Sequence, residues 1–233
     1  MSLFFVLSQS ENLQMILLQA QSVVTEDSIS VLQLMTKGGY MVIPLVILWL
    51  IAVYIFVERL LTIKKASKTP DDFKDKIRDR VFGGDIEGAK KLCVETDTPV
   101  ARMIEKGISR IGSPLKNIEV SIENIGKIEI YKLEKNLGFL ATISGAAPMI
   151  GFLGTVTGMI QAFIAIAQEE GAVSPKLLSS GIYEAMITTA CGLFVGILAY
   201  LGYNFLILRV QKLIHTMEYN SIDFIDLLQE PKK

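Results

Sequence analysis

The sequence predicts an all-α membrane protein whose three transmembrane helices pack in an oligomeric bundle. Hydrophobic residues make up 51% of the 233 residues, and most of them lie in three nearly uncharged stretches at 38–63, 137–167 and 182–208. Each stretch exceeds the ~20 apolar residues that a helix needs to cross the hydrocarbon core. Elsewhere the chain shows helical spacing without strand-like alternation. We expect spans two and three to extend as long helices into the cytoplasm.

The first 37 residues predict an amphipathic helix. Leu13, Ile16, Leu17 and Ala20 follow helical spacing, with glutamine and asparagine between them. This pattern is typical of a helix that lies on a membrane surface. We expect it at 1–37, on the outer face, leading into the first span.

The segment 64–136 has a soluble composition and several helix-start signals. Pro70 and Pro99 each follow a threonine, and Asp85 follows two glycines, which are patterns of helix N-termini. Short helices are therefore expected, in a segment too small to be a separate enzyme domain. A further helix is expected to begin at Pro114 and to continue unbroken through the second span to Ala167.

The distribution of basic residues predicts the orientation. The stretch 64–135 holds 16 of the 23 Lys and Arg residues, and basic residues near span ends favour the cytoplasm. We therefore place 64–136 and the C-terminal helix 209–233 inside, with the N-terminus and the turn 168–181 in the periplasm. The net charge of −1 argues against nucleic-acid binding.

Glu184 is the most informative residue of the third span. It is the only Asp, Glu, Lys, Arg or His between Lys176 and Arg209. A carboxylate that faces lipid is energetically costly, so an ionisable residue in a span indicates a protein interior or an ion path. This residue predicts a function in proton movement.

Small residues line one face of the second and third spans. Such residues permit close helix contact, and threonine hydroxyls bond across helices. We predict helix packing by Gly151, Gly154, Gly158, Gly192 and Gly196. For the threonines, a pore lining and a packing role remain equally open. If the two spans form a hairpin centred at Ala172, Thr155 and Thr189 share one layer, with Glu184 about 7 Å nearer the outside.

Several motifs together resemble the MotA/TolQ/ExbB proton channel family, with ExbB and TolQ closer than flagellar MotA. The resemblance covers 38–204. The N-terminal leader of this chain is longer than that of a minimal TolQ-like chain, which favours ExbB. The motifs are Gly84-Asp85-Ile86-Glu87-Gly88-Ala89, Ala147-Pro148, the run from Gly151 to Ile160, Glu184-Ala185, Thr189-Ala190, Gly192-Leu193, Ala199-Tyr200 and Tyr203-Asn204.

The resemblance implies a stator subunit of a bacterial inner-membrane motor, which uses the proton motive force to energise a TonB-like or Tol-like system. It implies a homopentamer around a dimer of single-span ExbD- or TolR-like partners, and a TonB- or TolA-like protein beyond them. Thr155, Glu184 and Thr189 match the family's proton-pathway residues. Relatives often carry a proline where this chain has Leu198, which weakens the expectation of a kink there.

Other functional classes have less support in the sequence. There is no phosphate-binding loop, so no enzyme activity, cofactor or metal is expected. An intramembrane hydrolase is disfavoured because Ser144 lacks a partner and no span carries an aspartate. A passive membrane scaffold remains the alternative of another class, although a scaffold gains nothing from Glu184. TolQ-type, gliding-type and flagellar-type stators also remain open, as does the choice between protons and sodium ions.

Overall fold

A computed structural model describes residues 39–70, 72–168 and 175–229. Within these residues the chain forms seven α-helices and no β-strand. The helices are α1 (Val42–Ala66), α2 (Phe73–Phe82), α3 (Ile86–Thr96), α4 (Pro99–Ile108), α5 (Leu115–Glu134), α6 (Leu137–Gln168) and α7 (Pro175–Gln229). The amphipathic helix predicted at 1–37 and the centre of the turn predicted at 168–181 lie outside the described residues.

Three helical stretches of the described chain are long and apolar enough to cross a membrane. They are α1, the stretch Leu115–Gln168 that contains α6, and α7 from Ser179. The predicted all-α fold with three candidate spans is therefore confirmed. Pro44 lies in the first turn of α1. The amides of the first turn have no partner within the helix, so a proline there removes no helical hydrogen bond.

The prediction of one unbroken helix from Pro114 to Ala167 was wrong. Helix α5 ends at Glu134 and α6 begins at Leu137. Between them, Lys135 has an extended backbone, with φ −49° and ψ 136°, and Asn136 has a positive φ of 65°. Asparagine adopts this left-handed conformation more readily than most residues, so the chain breaks here without a glycine or proline.

Helix α7 covers the third span and the C-terminal segment without interruption. Its 55 residues run from Pro175 to Gln229, so the predicted span 182–208 and the described part of the predicted tail helix, 209–229, form one element. The helix passes through Leu198 without a break. Its extension beyond the apolar stretch agrees with the predicted long helix, and the compartment into which it extends stays a prediction.

The predicted helix starts between the first two spans were mostly right. Asp85 caps α3 by accepting a hydrogen bond of 2.9 Å from the amide three residues on. Thr98 caps α4 and Pro99 occupies its first position. The start at Pro70 was wrong, because α2 begins at Phe73 and the proline lies in the preceding turn.

Helices α2 to α5 pack with the C-terminal part of α7 into a unit that we call the helical cluster. Its contacts join α4 to α3, α5 and α7, and α5 to α7. Large apolar side chains fill the interior, as in a water-soluble bundle. Buried members include Phe73, Ile77, Ile104, Ile108, Ile122 and Phe224.

Helix α6 packs along the N-terminal half of α7, and we call this pair the hairpin. Helix α1 lies against both of its members, chiefly α7. Residues predicted for the site all belong to α6 and α7, so the hairpin determines their arrangement.

Candidate functional site

The five predicted glycines lie where α6 and α7 meet. A Cβ added to Gly192 would lie 2.6 Å from the Ala147 carbonyl oxygen and 2.8 Å from the Gly151 Cα. Such distances are shorter than real Cβ contacts allow, and the neighbouring atoms belong to the backbone. The two helices therefore touch backbone to backbone here, which is the contact that small residues permit in membrane helices.

Gly154, Gly158 and Gly196 also meet the facing helix, but their nearest neighbours are side-chain atoms. A Cβ on Gly154 would lie 2.7 Å from the Thr188 Cβ, and one on Gly158 would lie 3.1 Å from the Ala185 Cβ. A Cβ on Gly196 would lie 2.6 Å from the Pro148 ring. Their positions match the predicted packing face, and their energetic importance stays a prediction.

The hydroxyls of Thr155 and Thr189 donate hydrogen bonds to consecutive carbonyl groups of α6. The Thr189 hydroxyl donates across the helix interface to the Gly151 carbonyl at 2.9 Å. The Thr155 hydroxyl donates within its own helix to the Phe152 carbonyl at 2.6 Å. Because neighbouring carbonyls differ by about 1.5 Å along a helix axis, the two hydroxyls lie at nearly the same level, as the hairpin register predicts. Both side chains are partly exposed.

Thr188 is buried, unlike its neighbour in sequence. Only 1% of Thr188 is exposed, and its hydroxyl donates to the Ala185 carbonyl at 2.8 Å within α7. The side chain fills the space that Gly154 leaves open. Its four-residue spacing from Gly192 already placed it on the small-residue face, and this geometry suits packing rather than a lining.

Glu184 lies one helical turn before Thr188, towards the N-terminal end of α7. Its side chain is partly buried, and no ion pair joins it to another described residue. The carboxylate faces the backbone of Gly39 at the start of α1: a Cβ added there would overlap its Oε1 atom and lie 2.7 Å from its Cδ. Sequence reasoning did not connect Gly39 with Glu184, since 145 positions separate them.

A buried arginine at the other end of α1 also escaped the sequence analysis. Arg59 is 6% exposed and pairs with Glu58. Its Nη1 donates to the Lys132 carbonyl at 3.0 Å, in the last turn of α5, where helix carbonyls lose their helical partners. Arg59 therefore links the first span to the last turn of α5, just before the break between α5 and α6. The sequence signal that could have indicated this contact is the adjacent pair Glu58-Arg59 near the end of the first apolar stretch.

Next to this contact, the buried Glu129 carboxylate pairs with two cations that are themselves partly or largely exposed. The carboxylate accepts from Arg102 at 2.6 Å and from Lys132 at 2.7 Å. Burial raises the pKa of Glu129, but the hydrogen bonds from these two cations outweigh it, so the pKa lies below its ordinary value of 4.5. Among the described residues, no group of three His, Cys, Asp or Glu side chains could hold a metal ion.

The similarity to known proteins covers the part of the chain that forms the hairpin. The MotA/TolQ/ExbB proton channel family matches residues 95–219, a range that contains every predicted site residue. The Tol-Pal system protein TolQ of Haemophilus influenzae is 42% identical over 98 residues, which are 42% of this chain and 41% of that protein. The biopolymer transport protein ExbB of Aquifex aeolicus is 39% identical over 93 residues, 39% of this chain and 62% of that one.

A longer alignment relates the chain to a protein of Methanothermobacter thermautotrophicus that is named as a putative biopolymer transport protein ExbB homolog. The two are 28% identical over 209 residues, which are 86% of this chain and 68% of the homolog. The matches to TolQ and to the Aquifex ExbB thus span less than two thirds of those proteins, whereas this one spans most of both chains. The family match covers more than half of the chain, and so the chain is a member of the MotA/TolQ/ExbB proton channel family.

Proposed function

We propose that this protein is an ExbB-type stator subunit, which conducts protons across the bacterial inner membrane to energise a TonB-like or Tol-like system. One observation carries the proposal. Glu184 is the single formal charge of an otherwise apolar stretch, and it lies about five residues, or 7 Å, along α7 from the layer of Thr155 and Thr189. A partly buried carboxylate near a layer of partly exposed hydroxyls can accept and release a proton.

Membership of the family and the shape of the hairpin support a multi-subunit assembly. The hairpin exposes many large apolar residues, including Met149, Phe152, Met186 and Phe194. We propose a homopentamer in which these residues meet other subunits, the lipid bilayer and a central dimer of single-span ExbD- or TolR-like partners. The energised protein would then be TonB-like or TolA-like.

The decisive experiment uses the protein co-purified with an ExbD- or TolR-like single-span partner and reconstituted in liposomes. Glu184→Gln keeps the shape of the side chain and removes its titratable group. We expect inward proton flux under an imposed potential to fall to background, while the oligomer mass in detergent is unchanged. Glu218→Gln is the matched control, because Glu218 is an exposed residue of the same helix, and it should conduct like the wild type.

The proposal fails if Glu184→Gln conducts protons at the wild-type rate. A passive scaffold, the alternative of another class, predicts that outcome. The scaffold has one observation in its favour, since all five glycines meet a neighbouring helix within this single chain. It offers no reason for a carboxylate among them. Replacing the partner with its ExbD or TolR counterpart, and measuring which one supports flux, separates the ExbB-type from the TolQ-type stator.

A further inference from the structure

Gly39 lies outside the matched family range and contacts the proposed proton site. It precedes α1, and its carbonyl accepts a hydrogen bond of 3.3 Å from the Val42 amide in the first turn of that helix. The same residue faces the Glu184 carboxylate of α7. Gly39 therefore joins the start of the first span to the one formal charge of the third.

Two independent features require a glycine at this position. The backbone of Gly39 has a φ of 65°, which residues with a Cβ rarely adopt. In addition, a Cβ would overlap Glu184 Oε1 and would lie 2.7 Å from Cδ and 3.3 Å from Cγ. The first feature is common in turns, whereas the second exists only because a carboxylate occupies the space.

We propose that Gly39 is a positioning residue for Glu184, so that the first span forms a third wall of the proton site beside α6 and α7. The proposal rests on the proposed function. The missing side chain lets the carboxylate lie against the backbone at the start of α1, one turn from Thr188. A Cβ at Gly39 would displace the Glu184 carboxylate from the position at which it exchanges protons near the layer of Thr155 and Thr189.

The first test compares two glycines with similar backbones and different surroundings. Gly84 has a φ of 76°, and nothing lies within 4 Å of an added Cβ. Gly39→Ala and Gly84→Ala therefore share the backbone penalty, and only Gly39→Ala meets the carboxylate. We expect Gly39→Ala to lower proton flux about tenfold or more, since small displacements of reacting groups have effects of this size, and Gly84→Ala to conduct like the wild type. Equal effects of the two would overturn the proposal.

The second test asks whether a shorter carboxylate removes the penalty. Aspartate retracts the carboxyl group by about one C–C bond, or ~1.5 Å. In a Glu184→Asp background, which lowers the starting flux, adding Gly39→Ala should change the remaining flux no more than about twofold, the range expected for uncoupled changes. A tenfold loss in both backgrounds would mean that Gly39 acts through the backbone alone. A merely structural role predicts that result.

A third test needs no proton flux. With Cys93 and Cys191 replaced by serine, Gly39→Cys combined with Glu184→Cys should form an intramolecular disulfide under mild oxidation. A Cβ added at Gly39 would lie 3.3 Å from the Glu184 Cγ, which is the position that the sulfur of the second cysteine would take. Peptide mass spectrometry would detect the linked pair, and Gly84→Cys with Glu184→Cys is the control that should remain reduced. Absence of the link in a protein of normal oligomer mass would overturn the proposed contact.

The failures of the two proposals are distinguishable. If Glu184→Gln conducts normally, the proposed function fails, whatever Gly39 does. If Glu184→Gln is inactive while Gly39→Ala behaves like Gly84→Ala, the stator function stands and the role of Gly39 is refuted.

Discussion

The hairpin and the helical cluster are held together by opposite kinds of residue. In the hairpin, Gly151 and Gly192 bring two backbones into direct contact. In the helical cluster, the interior consists of large side chains such as Phe73, Ile104 and Ile122. The same chain therefore packs its helices through missing side chains in one region and through bulky ones in the other.

The difference is the one expected if the helical cluster lies in water and the hairpin in the bilayer, as we propose. In water, burying apolar surface contributes roughly 25 cal/mol per Å², so large side chains stabilise the helical cluster. Inside a bilayer the lipid is as apolar as leucine, and helices associate through close packing and hydrogen bonds. Glycine then stabilises contact by letting backbones approach, and a side chain at the same position prevents it.

The largest expected effect tests the hairpin directly. Gly192→Ala adds one methyl group against the Ala147 carbonyl oxygen and the Gly151 Cα, neither of which can rotate away. We expect the free energy of unfolding in detergent to fall by about 3 kcal/mol, at the upper end of overpacking effects, and the proposed pentamer to dissociate at lower temperature. Circular dichroism melts and native mass spectrometry measure the two effects.

Gly145→Ala is the matched control for this change. Gly145 lies in α6 with nothing within 4 Å of an added Cβ in this chain. Alanine favours helix by up to about 1 kcal/mol over glycine, so this variant should be as stable as the wild type or slightly more so. If both alanine variants melted alike, close backbone contact would not distinguish the hairpin from the helical cluster.

Sequence patterns were informative in the hairpin because its signals are local. Uncharged length predicted the spans, and four-residue spacing placed Gly154 and Gly158 on the packing face. The turn centre predicted from the sequence brought Thr155 and Thr189 to one level, and their hydrogen bonds to neighbouring carbonyls agree with it.

Contacts between distant segments left no such signal. Gly39 meets Glu184, which is 145 positions away, and Arg59 meets the Lys132 carbonyl 73 positions away. The break at Asn136 was also missed, because helical periodicity continues through it and an asparagine is no reliable helix breaker. These features depend on how α1 lies against α5 and α7, which no local pattern determines.

A second, smaller effect tests the helical cluster through its charges. Glu129 is 2% exposed and paired with Arg102 and Lys132, so Glu129→Gln should lower the free energy of unfolding at pH 7 by about 2 kcal/mol, the value of a hydrogen bond to a charged group. Since the folded state lowers the pKa of Glu129, its contribution is present above the ordinary value of 4.5 and is lost as the pH falls below it.

The difference between wild type and Glu129→Gln should therefore stay constant from pH 7 down to about pH 5 and shrink as the pH falls below 4.5, in melts monitored by circular dichroism. Glu123→Gln is the control, because the Glu123–Lys127 pair at 2.7 Å is exposed on the same helix and such pairs contribute less than about 1 kcal/mol. A constant difference across the pH range would contradict the assigned role of the carboxylate.

The smallest expected effect concerns the Thr189 hydroxyl, which bonds across the hairpin. Thr189→Val keeps the shape of the side chain and removes the 2.9 Å hydrogen bond to the Gly151 carbonyl. Cross-helix hydrogen bonds in membranes contribute about 0.6 kcal/mol on average, so the melting curve should shift only slightly. Thr142→Val is the control, since the Thr142 hydroxyl is exposed and donates within α6, to the Gly138 carbonyl at 2.9 Å.

The same variant decides between the two roles that the sequence left open for the threonines. If Thr189 only packs helices, proton flux should fall no further than the small loss of stability explains, and Thr189→Val should conduct nearly as well as Thr142→Val. If its hydroxyl belongs to the proton path, flux should fall about tenfold or more while the melting curve stays within the packing value of ~0.6 kcal/mol. Because the glycine contacts of the hairpin remain intact in this variant, a large loss of flux cannot come from separated helices, and the hydroxyl itself must be the cause.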